Sequence, residues 1–362
     1  MTQLRIPGPT PLPPEVLQIM TRQMINHRGA EFHDMLNGIT AKLKQLFLTR
    51  NDVFLLTGSG TGGMEAVIVN TLSPGDAVLG VSIGVFGDRF INIASSFGAR
   101  VTPLKFEMGK AADPDAVRKA LQSDPQIKAV LVTHNETSTG ITNDLAALAK
   151  AVKEFDKLLI VDAISSLGCI ACPIDEWNLD VVVTGSQKGF MAPPGLAMVS
   201  INQKGWQANA TAKMPRFYWD FGKAKKYLEI NENPWTPCLP AIYAMSVSLD
   251  MMLEEGLNNI IARHARVAKA AREGVKALGL TPFADPKYAS NTVTAVNLPQ
   301  GVEYKKMSKM LREEYKVVVS GGQQSLDGKI FRIGHLGWVT EKDIEEVISA
   351  LKLAIPKVAA QK

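Results

Sequence analysis

The stretch Val181-Val182-Val183-Thr184-Gly185-Ser186-Gln187-Lys188-Gly189-Phe190 reads as a buried strand that breaks at a glycine and carries a lysine just past its end. Three consecutive valines mark a strand covered on both faces, and ligands of open parallel sheets collect at the carboxyl ends of such strands. An arbitrary lysine after an arbitrary strand is solvated. Lys188 has company that argues otherwise. The apolar run Leu158-Leu159-Ile160-Val161 ends in Asp162, a carboxylate at the same end of a neighbouring strand. Earlier, Phe54-Leu55-Leu56 runs into Thr57-Gly58-Ser59-Gly60-Thr61-Gly62-Gly63 and then a helical pattern, the layout of an anion-binding loop.

Around these runs the chain alternates. Ala77-Val78-Leu79-Gly80-Val81, Val101-Thr102-Pro103-Leu104 and Ala129-Val130-Leu131-Val132 read as further strands. Helical patterns of about ten to fifteen residues separate them, which predicts a mainly parallel sheet with right-handed crossovers. Residues 1–13 form a proline-rich extended arm that must lie on something to be ordered. Residues 205–240, with Trp206, Phe217, Tyr218, Trp219, Tyr227 and Trp235, read as an irregular aromatic segment packed on the body or on another subunit. A helix over 239–255 and a long helix striped by Leu257, Ile260, Val267, Ala271 and Val275 follow. Beyond them, strands at 292–298, 317–319 and 329–333 mix with helices, the last capped by Thr340-Glu341-Lys342-Asp343. The expected architecture is α/β: an arm (1–13), a large domain (14–260) and a smaller α+β C-terminal domain (261–362).

Composition narrows the function classes. At 362 residues about two domains are expected, and 46% hydrophobic residues suffice for a sizeable core. The net charge of +5 comes from 40 basic residues interleaved with 35 acidic ones, which gives no support to nucleic-acid binding. No apolar run approaches the ~18 residues of a membrane span, and the N-terminus lacks a signal-peptide core, so a cytoplasmic protein without membrane partners is expected. Three cysteines make no disulfide framework. Cys169-Ile170-Ala171-Cys172 has no second pair to complete a metal site, and reads as two small buried side chains.

Gly58-Ser59-Gly60-Thr61-Gly62-Gly63 has the G-x-G-x-x-G spacing of dinucleotide sites, but Val78-Leu79-Gly80-Val81-Ser82 lacks the acid that would hold a ribose. No Gly-Lys-Ser/Thr follows, so it is not a Walker loop. A phosphate at the helix start is the simplest use: amides point outward, the helix dipole favours an anion, and Ser59 and Thr61 add hydroxyl donors. Asp162, costly on a buried strand without a cation, suits a protonated pyridine nitrogen. Lys188, desolvated beside a cationic ring, suits a nucleophile and general base. These are the parts that a pyridoxal phosphate enzyme needs.

The same residues carry a resemblance. Gly58-Ser59-Gly60-Thr61 before Glu65-Ala66, Thr133-His134-Asn135-Glu136-Thr137-Ser138-Thr139-Gly140, Val161-Asp162-Ala163-Ile164-Ser165-Ser166, and Gly185-Ser186-Gln187-Lys188 with Ala192-Pro193-Pro194-Gly195 resemble the class V aminotransferases. The resemblance runs from Pro7-Gly8-Pro9 to Phe331-Arg332-Ile333-Gly334 and is nearest to the alanine-glyoxylate and serine-glyoxylate (serine-pyruvate) branch. It implies a homodimeric fold-type I enzyme with the active site at the subunit interface and pyridoxal 5'-phosphate as cofactor. By the resemblance Lys188 is the Schiff-base lysine and Asp162 the partner of the pyridine nitrogen. Ser59, Gly60, Thr61 and Gln187 hold the phosphate, with Thr236 from a second subunit. Phe86 stacks on the ring where several relatives have tryptophan, Ile164 presses on the other face, and Thr137 bonds the 3-hydroxyl side. Arg332 clamps the substrate α-carboxylate, a task suited to a planar fork; from the pattern alone it reads as a surface residue of a strand. Where relatives carry a tyrosine three residues before the threonine, this chain has Asn233.

The expected activity is transfer of an amino group from serine or alanine to a 2-oxo acid such as glyoxylate or pyruvate by a ping-pong route. A donor with a second carboxylate, aspartate or glutamate, is the alternative, with Arg28 or Arg216 folding over the site. A cysteine desulfurase-like lyase is disfavoured because no cysteine follows Cys238. An NAD oxidoreductase lacks its ribose acid. A non-catalytic subunit of a larger complex is disfavoured by the full set of catalytic residues.

Overall fold

The apolar runs become strands and the 3.6-period stripes become helices in a computed structural model that describes residues 2–360. Met1 and residues 361–362, the ends of the expected arm and C-terminal domain, lie outside the described residues. The first strand, β1 (Gln3–Arg5), is followed by α1 (Pro14–Ile19) and α2 (Ala30–Leu46). Alternation then sets in with β2 (Asp52–Thr57), α3 (Gly60–Thr71), β3 (Ala77–Ser82), α4 (Val85–Ser96), β4 (Arg100–Lys105), α5 (Pro114–Ser123) and β5 (Ala129–Thr133). A short hairpin, β6 (Asn135–Glu136) and β7 (Ile141–Thr142), precedes α6 (Leu145–Lys153), β8 (Leu158–Asp162), β9 (Val181–Gly185) and β10 (Leu196–Ile201). Next come α7 (Gln203–Thr211), α8 (Phe221–Leu228), α9 (Leu239–Glu255) and α10 (Leu257–Ala277). The chain closes with β11 (Val293–Asn297), α11 (Tyr304–Glu314), β12 (Val317–Gly321), β13 (Ile330–Gly334) and α12 (Glu341–Ala359).

Seven strands form the main sheet in the order β2-β10-β9-β8-β5-β3-β4. All neighbouring pairs are parallel except those of β10, which runs antiparallel to both β9 and β2. The fold is therefore α/β with a mostly parallel sheet, as expected, but the strand Leu196–Ile201 is one that sequence reasoning did not identify. Every residue of β8 and β9 is buried, which is what a continuous apolar run in a sheet covered on both faces requires. β4 tolerates Pro103 because it is an edge strand, mostly exposed, where a missing N–H is no loss. α3 lies close against the sheet: a methyl group on Gly63 would stand 2.6 Å from Val183 Cγ2 and 2.9 Å from Ala197 Cβ.

A second sheet has the order β1-β12-β13-β11. β1, from the proline-rich arm, pairs in parallel with β12, so the arm lies on this distant sheet. Its Arg5 is buried and paired with Asp343 in α12 at 2.5 Å. Thr340 and Asp343 form the expected reciprocal cap of α12: Asp343 Oδ2 accepts from the Thr340 amide at 2.7 Å. In α10, Ile260 belongs to the apolar cluster under the main sheet, whereas Val267, Ala271 and Val275 belong to a separate cluster with β12, β13 and α12.

Residues 205–240 are not wholly irregular, contrary to expectation. They hold most of α7 and all of α8, whose N-caps Asn202 and Asp220 accept from the amides of Gly205 and Lys223, each at 2.9 Å. Aromatic side chains there hide the short helical stripes because some pack on the body while Phe217 and Tyr218 stay exposed, which leaves no single apolar face in the sequence. Phe221 is fully buried, and Trp219 lies against Gly58 and Gly62. Among the described residues no helix is long and apolar enough to cross a membrane.

Candidate active site

β8 and β9 run side by side, so their carboxyl ends deliver Asp162 and the loop bearing Lys188 to one place. That loop joins β9 to the antiparallel β10 and is tied across its base, where the Ser186 amide donates to Leu196 O at 3.0 Å and its hydroxyl to Pro193 O at 2.5 Å. Asp162 is 3% exposed; its Oδ1 accepts from the Ile164 amide at 2.9 Å. Burial pushes its carboxyl up to about 7, opposed by the Ile164 amide, reinforced by the Glu136 charge and opposed again by Lys188 and Arg89. Burial likewise brings the Lys188 amine down to about 8, against the pull of Asp162 and with Arg332 and Arg89 adding to the fall. Lys188 Nζ donates to the carbonyl of Pro7 in the arm. A side chain on Gly8 would run into the lysine, at 2.6 Å from Cδ, and its φ of +111° is one that only glycine adopts freely.

The glycine loop does what a strand-to-helix turn at a ligand site requires. Ser59 caps α3, Gly60 has no Cβ because Ile164 Cδ1 would stand 2.7 Å from one, and Thr61 sits in the first turn. Gly60, Thr61, Gln187, Phe86, Thr137 and Ile164 line a cavity together with Asp162 and Lys188. Gln187 Oε1 is buried there without a hydrogen-bond partner.

Three expected site residues lie off the cavity wall. Ser59 is exposed at the helix cap, and Thr236 is exposed and does not reach the cavity of its own chain. Arg332, on β13, is 6% exposed, which corrects the surface placement read from the strand pattern. Its Nε donates to Gly321 O at 2.8 Å, and its Nη1 donates to Thr137 O and Gln323 Oε1, both at 3.1 Å. Nη2 has no such partner among the described residues. Burial lowers its pKa, with Glu136 opposing.

Sequence reasoning missed several residues that build the wall. Glu136 is fully buried: Oε2 accepts from the amides of Phe86 at 3.0 Å and Gly87 at 3.1 Å, and Oε1 accepts from the Ser138 amide at 3.0 Å and hydroxyl at 2.6 Å. Burial raises its pKa while those four donors oppose the rise, and together they fix the start of α4 and so the Phe86 ring. Asn135 donates to Ser165 Oγ at 2.8 Å and Thr292 Oγ1 at 2.9 Å, joining the hairpin to the segment before β11. Arg89 also lines the cavity. Its position three residues after Phe86 in a helix was the available signal.

The two arginines considered as a second carboxylate clamp are occupied elsewhere. Arg28 pairs with Glu232 and donates to Asn233 O at 2.8 Å; Arg216 donates to Val69 O at 3.0 Å. Asn233 donates to Leu55 O at 2.9 Å within its own chain. Cys169 and Cys172 are buried, and burial pushes each thiol up to about 12.

The donor set fits pyridoxal phosphate. A buried carboxylate awaits a cation, an amine lowered by burial stands near it, a helix start offers free amides, and the Gln187 carboxamide, its oxygen unpartnered, lines the same space. Comparison with known proteins points the same way. A family model described as aminotransferase class-V matches residues 4–346. The chain is 44% identical to the "soluble hydrogenase 42 kDa subunit" of Anabaena cylindrica, over 97% of this chain and 92% of that one. It is 39% identical to the "L-aspartate--glyoxylate aminotransferase" of Paracoccus denitrificans, over 93% and 86%. A solved structure of alanine-glyoxylate aminotransferase from Nostoc sp. superimposes with a TM-score of 0.94 at 29% identity, covering 98% of this chain and 95% of that one.

Proposed function

The chain belongs to the class V aminotransferases, and on that premise we propose that it moves an amino group from serine or alanine to a 2-oxo acid such as glyoxylate or pyruvate, in the cytoplasm, by a ping-pong route. Its cofactor is pyridoxal 5'-phosphate. The observation that carries the substrate reading is Arg332: a buried guanidinium fixed through Nε and Nη1, with Nη2 left for one carboxylate, while Arg28 and Arg216 are held elsewhere.

Bound in the cavity, the cofactor supplies an electron sink for the negative charge left at the substrate's Cα when its proton departs. Lys188 is the group that takes this proton and returns it, because an amine held at about 8 is unprotonated in good part under mildly alkaline conditions. Asp162 would keep a pyridine nitrogen protonated and would gain from it the counter-charge that its burial lacks. Gly60, Thr61 and Gln187 in the cavity wall, with Ser59 at the exposed cap beside them, would hold the phosphate, Phe86 and Ile164 would flank the ring, and Thr137 would face its hydroxyl. The Thr137 carbonyl also orients Arg332, which ties the substrate clamp to the ring wall. Thr236 acts in the site of a second copy, which makes the enzyme a homodimer; its exposure beside the stacked Phe217 and Trp235 supports this. Mass measurement by light scattering tests that part, and full activity from a 39.3 kDa monomer would overturn it.

A second reading, with aspartate or glutamate as donor, is favoured by Arg89 in the cavity wall and by the printed name of the Paracoccus relative. Absorbance of the purified enzyme, with one amino acid added at a time and no acceptor, separates the two. Bleaching by alanine or serine, with recovery on adding glyoxylate, is the expected result. Bleaching by aspartate or glutamate alone replaces the first reading with the second.

A further inference from the structure

One cation in the cavity has no task in the scheme above. Arg89 leaves the same face of α4 as Phe86, three residues earlier, and its Cζ lies 4.7 Å from the centre of that ring. Its Nη1 donates to Thr61 Oγ1 at 3.3 Å. The adjacent carboxylate, Asp88, is not its partner: Asp88 is bound to Lys105 at 2.9 Å and accepts from Ser82 Oγ at 2.9 Å. Arg89 is therefore a guanidinium placed over an aromatic ring of the wall and bonded to a neutral hydroxyl in the first turn of α3.

We infer that Arg89 is a phosphate ligand, gripping the phosphate of pyridoxal phosphate together with Thr61 and the amides at the start of α3. The inference rests on the reading of this cavity as the cofactor site. Charge balance supports it. A phosphate monoester carries about −1.5 to −2 at neutral pH, whereas a helix start is worth about half a positive charge and the other donors, Ser59, Thr61 and Gln187, are neutral. A planar fork pre-set on the Phe86 ring supplies the missing charge in the geometry phosphate oxygens accept. The bond to Thr61 sets Arg89 at the helix start. Arg332 instead bonds the Thr137 and Gly321 carbonyls, so the two arginines are anchored to different parts of the site and serve different anions.

The test compares two ligands that differ only in the phosphate. Cofactor-free wild type, Arg89→Gln and Arg89→Lys are titrated at equilibrium with pyridoxal phosphate and with pyridoxal, read by absorbance. Arg89→Gln is expected to weaken pyridoxal phosphate about 10- to 100-fold, the range for a lost charged hydrogen bond, and to leave pyridoxal unchanged. Arg89→Lys, with the charge but without the fork, falls between and stands in should the glutamine variant not fold. An unchanged preference for pyridoxal phosphate over pyridoxal in either variant overturns the inference. So does a variant that keeps its cofactor affinity and loses turnover of aspartate, which would assign Arg89 to a second substrate carboxylate. Wild type that binds neither ligand refutes the cofactor site itself, a separate failure.

Discussion

Replacing Arg332 with lysine keeps the positive charge and removes the fork. In the native site three bonds hold the guanidinium at Nε and Nη1, so by the proposed role the remaining nitrogen would be presented to substrate in one orientation. A lysine ammonium is a single point that cannot bond Gly321 O, Thr137 O and a carboxylate from those three directions at once. One charged hydrogen bond to substrate is worth about 1.5–3 kcal/mol, so kcat/KM for alanine should fall about 10- to 150-fold. A buried carbonyl left without its donor adds a stability loss of about 1–3 kcal/mol, so rates are measured well below the unfolding transition. The informative assay is the single-turnover half reaction with alanine and with alaninamide, which has alanine's shape and no carboxylate. Arg332→Lys should cut the rate for alanine by the stated factor and change that for alaninamide less than about threefold. Equal losses on both substrates would mean that Arg332 supports the wall and does not bind the carboxylate.

Other expectations follow from burial and close contact. Lys188 is held near 8 against 10.5 for a free lysine, so its stabilising contribution is full above pH 10.5 and is lost as pH falls through about 8. In cofactor-free protein, the unfolding free energy of wild type relative to Lys188→Met should therefore rise by at most roughly 3 kcal/mol between pH 8 and 10.5; a flat difference would contradict the burial of that amine. Asp162 works with the opposite sign: raised to about 7, its contribution is full below pH 3.8 and fades as pH rises through 7, a slope that Asp162→Asn should abolish in pH-dependent urea titrations. Gly63→Ala should destabilise by about 1–3 kcal/mol from overpacking against Val183 and Ala197, less about 1 kcal/mol of helix propensity; an unchanged urea midpoint would show that α3 shifts freely. A thiol reagent at pH 8 should label Cys238 in the native protein and reach Cys169 and Cys172 only on unfolding.

The main sheet was legible because its buried strands are unbroken apolar runs ending in polar residues, as at Asp162 and before Lys188. Leu196–Ile201 has the same character and was passed over because it follows a proline-glycine loop with no helix before it. An antiparallel strand needs no crossover, and alternation of strand and helix gives no sign of it. The cavity residues adjoining strand ends were readable for the same reason. Arg332 was not: its burial depends on Gly321 and Thr137, which only tertiary structure brings to it. Glu136 and Arg89 share that limit. A carboxylate capping a helix fifty residues earlier in the chain leaves no local pattern, and for Arg89 the spacing from Phe86 places it on the cavity face of α4 but not its bond to the start of the preceding helix. The capping residues Asn202 and Asp220 were visible signals for α7 and α8, outweighed by the density of aromatic residues.

The antiparallel β10 also orders events in time. β9 and β10 are linked by one loop, so the turn that carries the lysine is tied at its base by contacts made within one stretch of chain, before the arm reaches it. β2 joins the sheet only through β10, pairing Thr57 with Leu196 across about 140 residues. Long closures pay their entropy before any contact rewards them, and they form late. During refolding, an amine able to capture an aldehyde should thus appear before the helix start proposed to hold a phosphate, and the nascent enzyme would meet pyridoxal and pyridoxal phosphate on nearly equal terms until β2 docks.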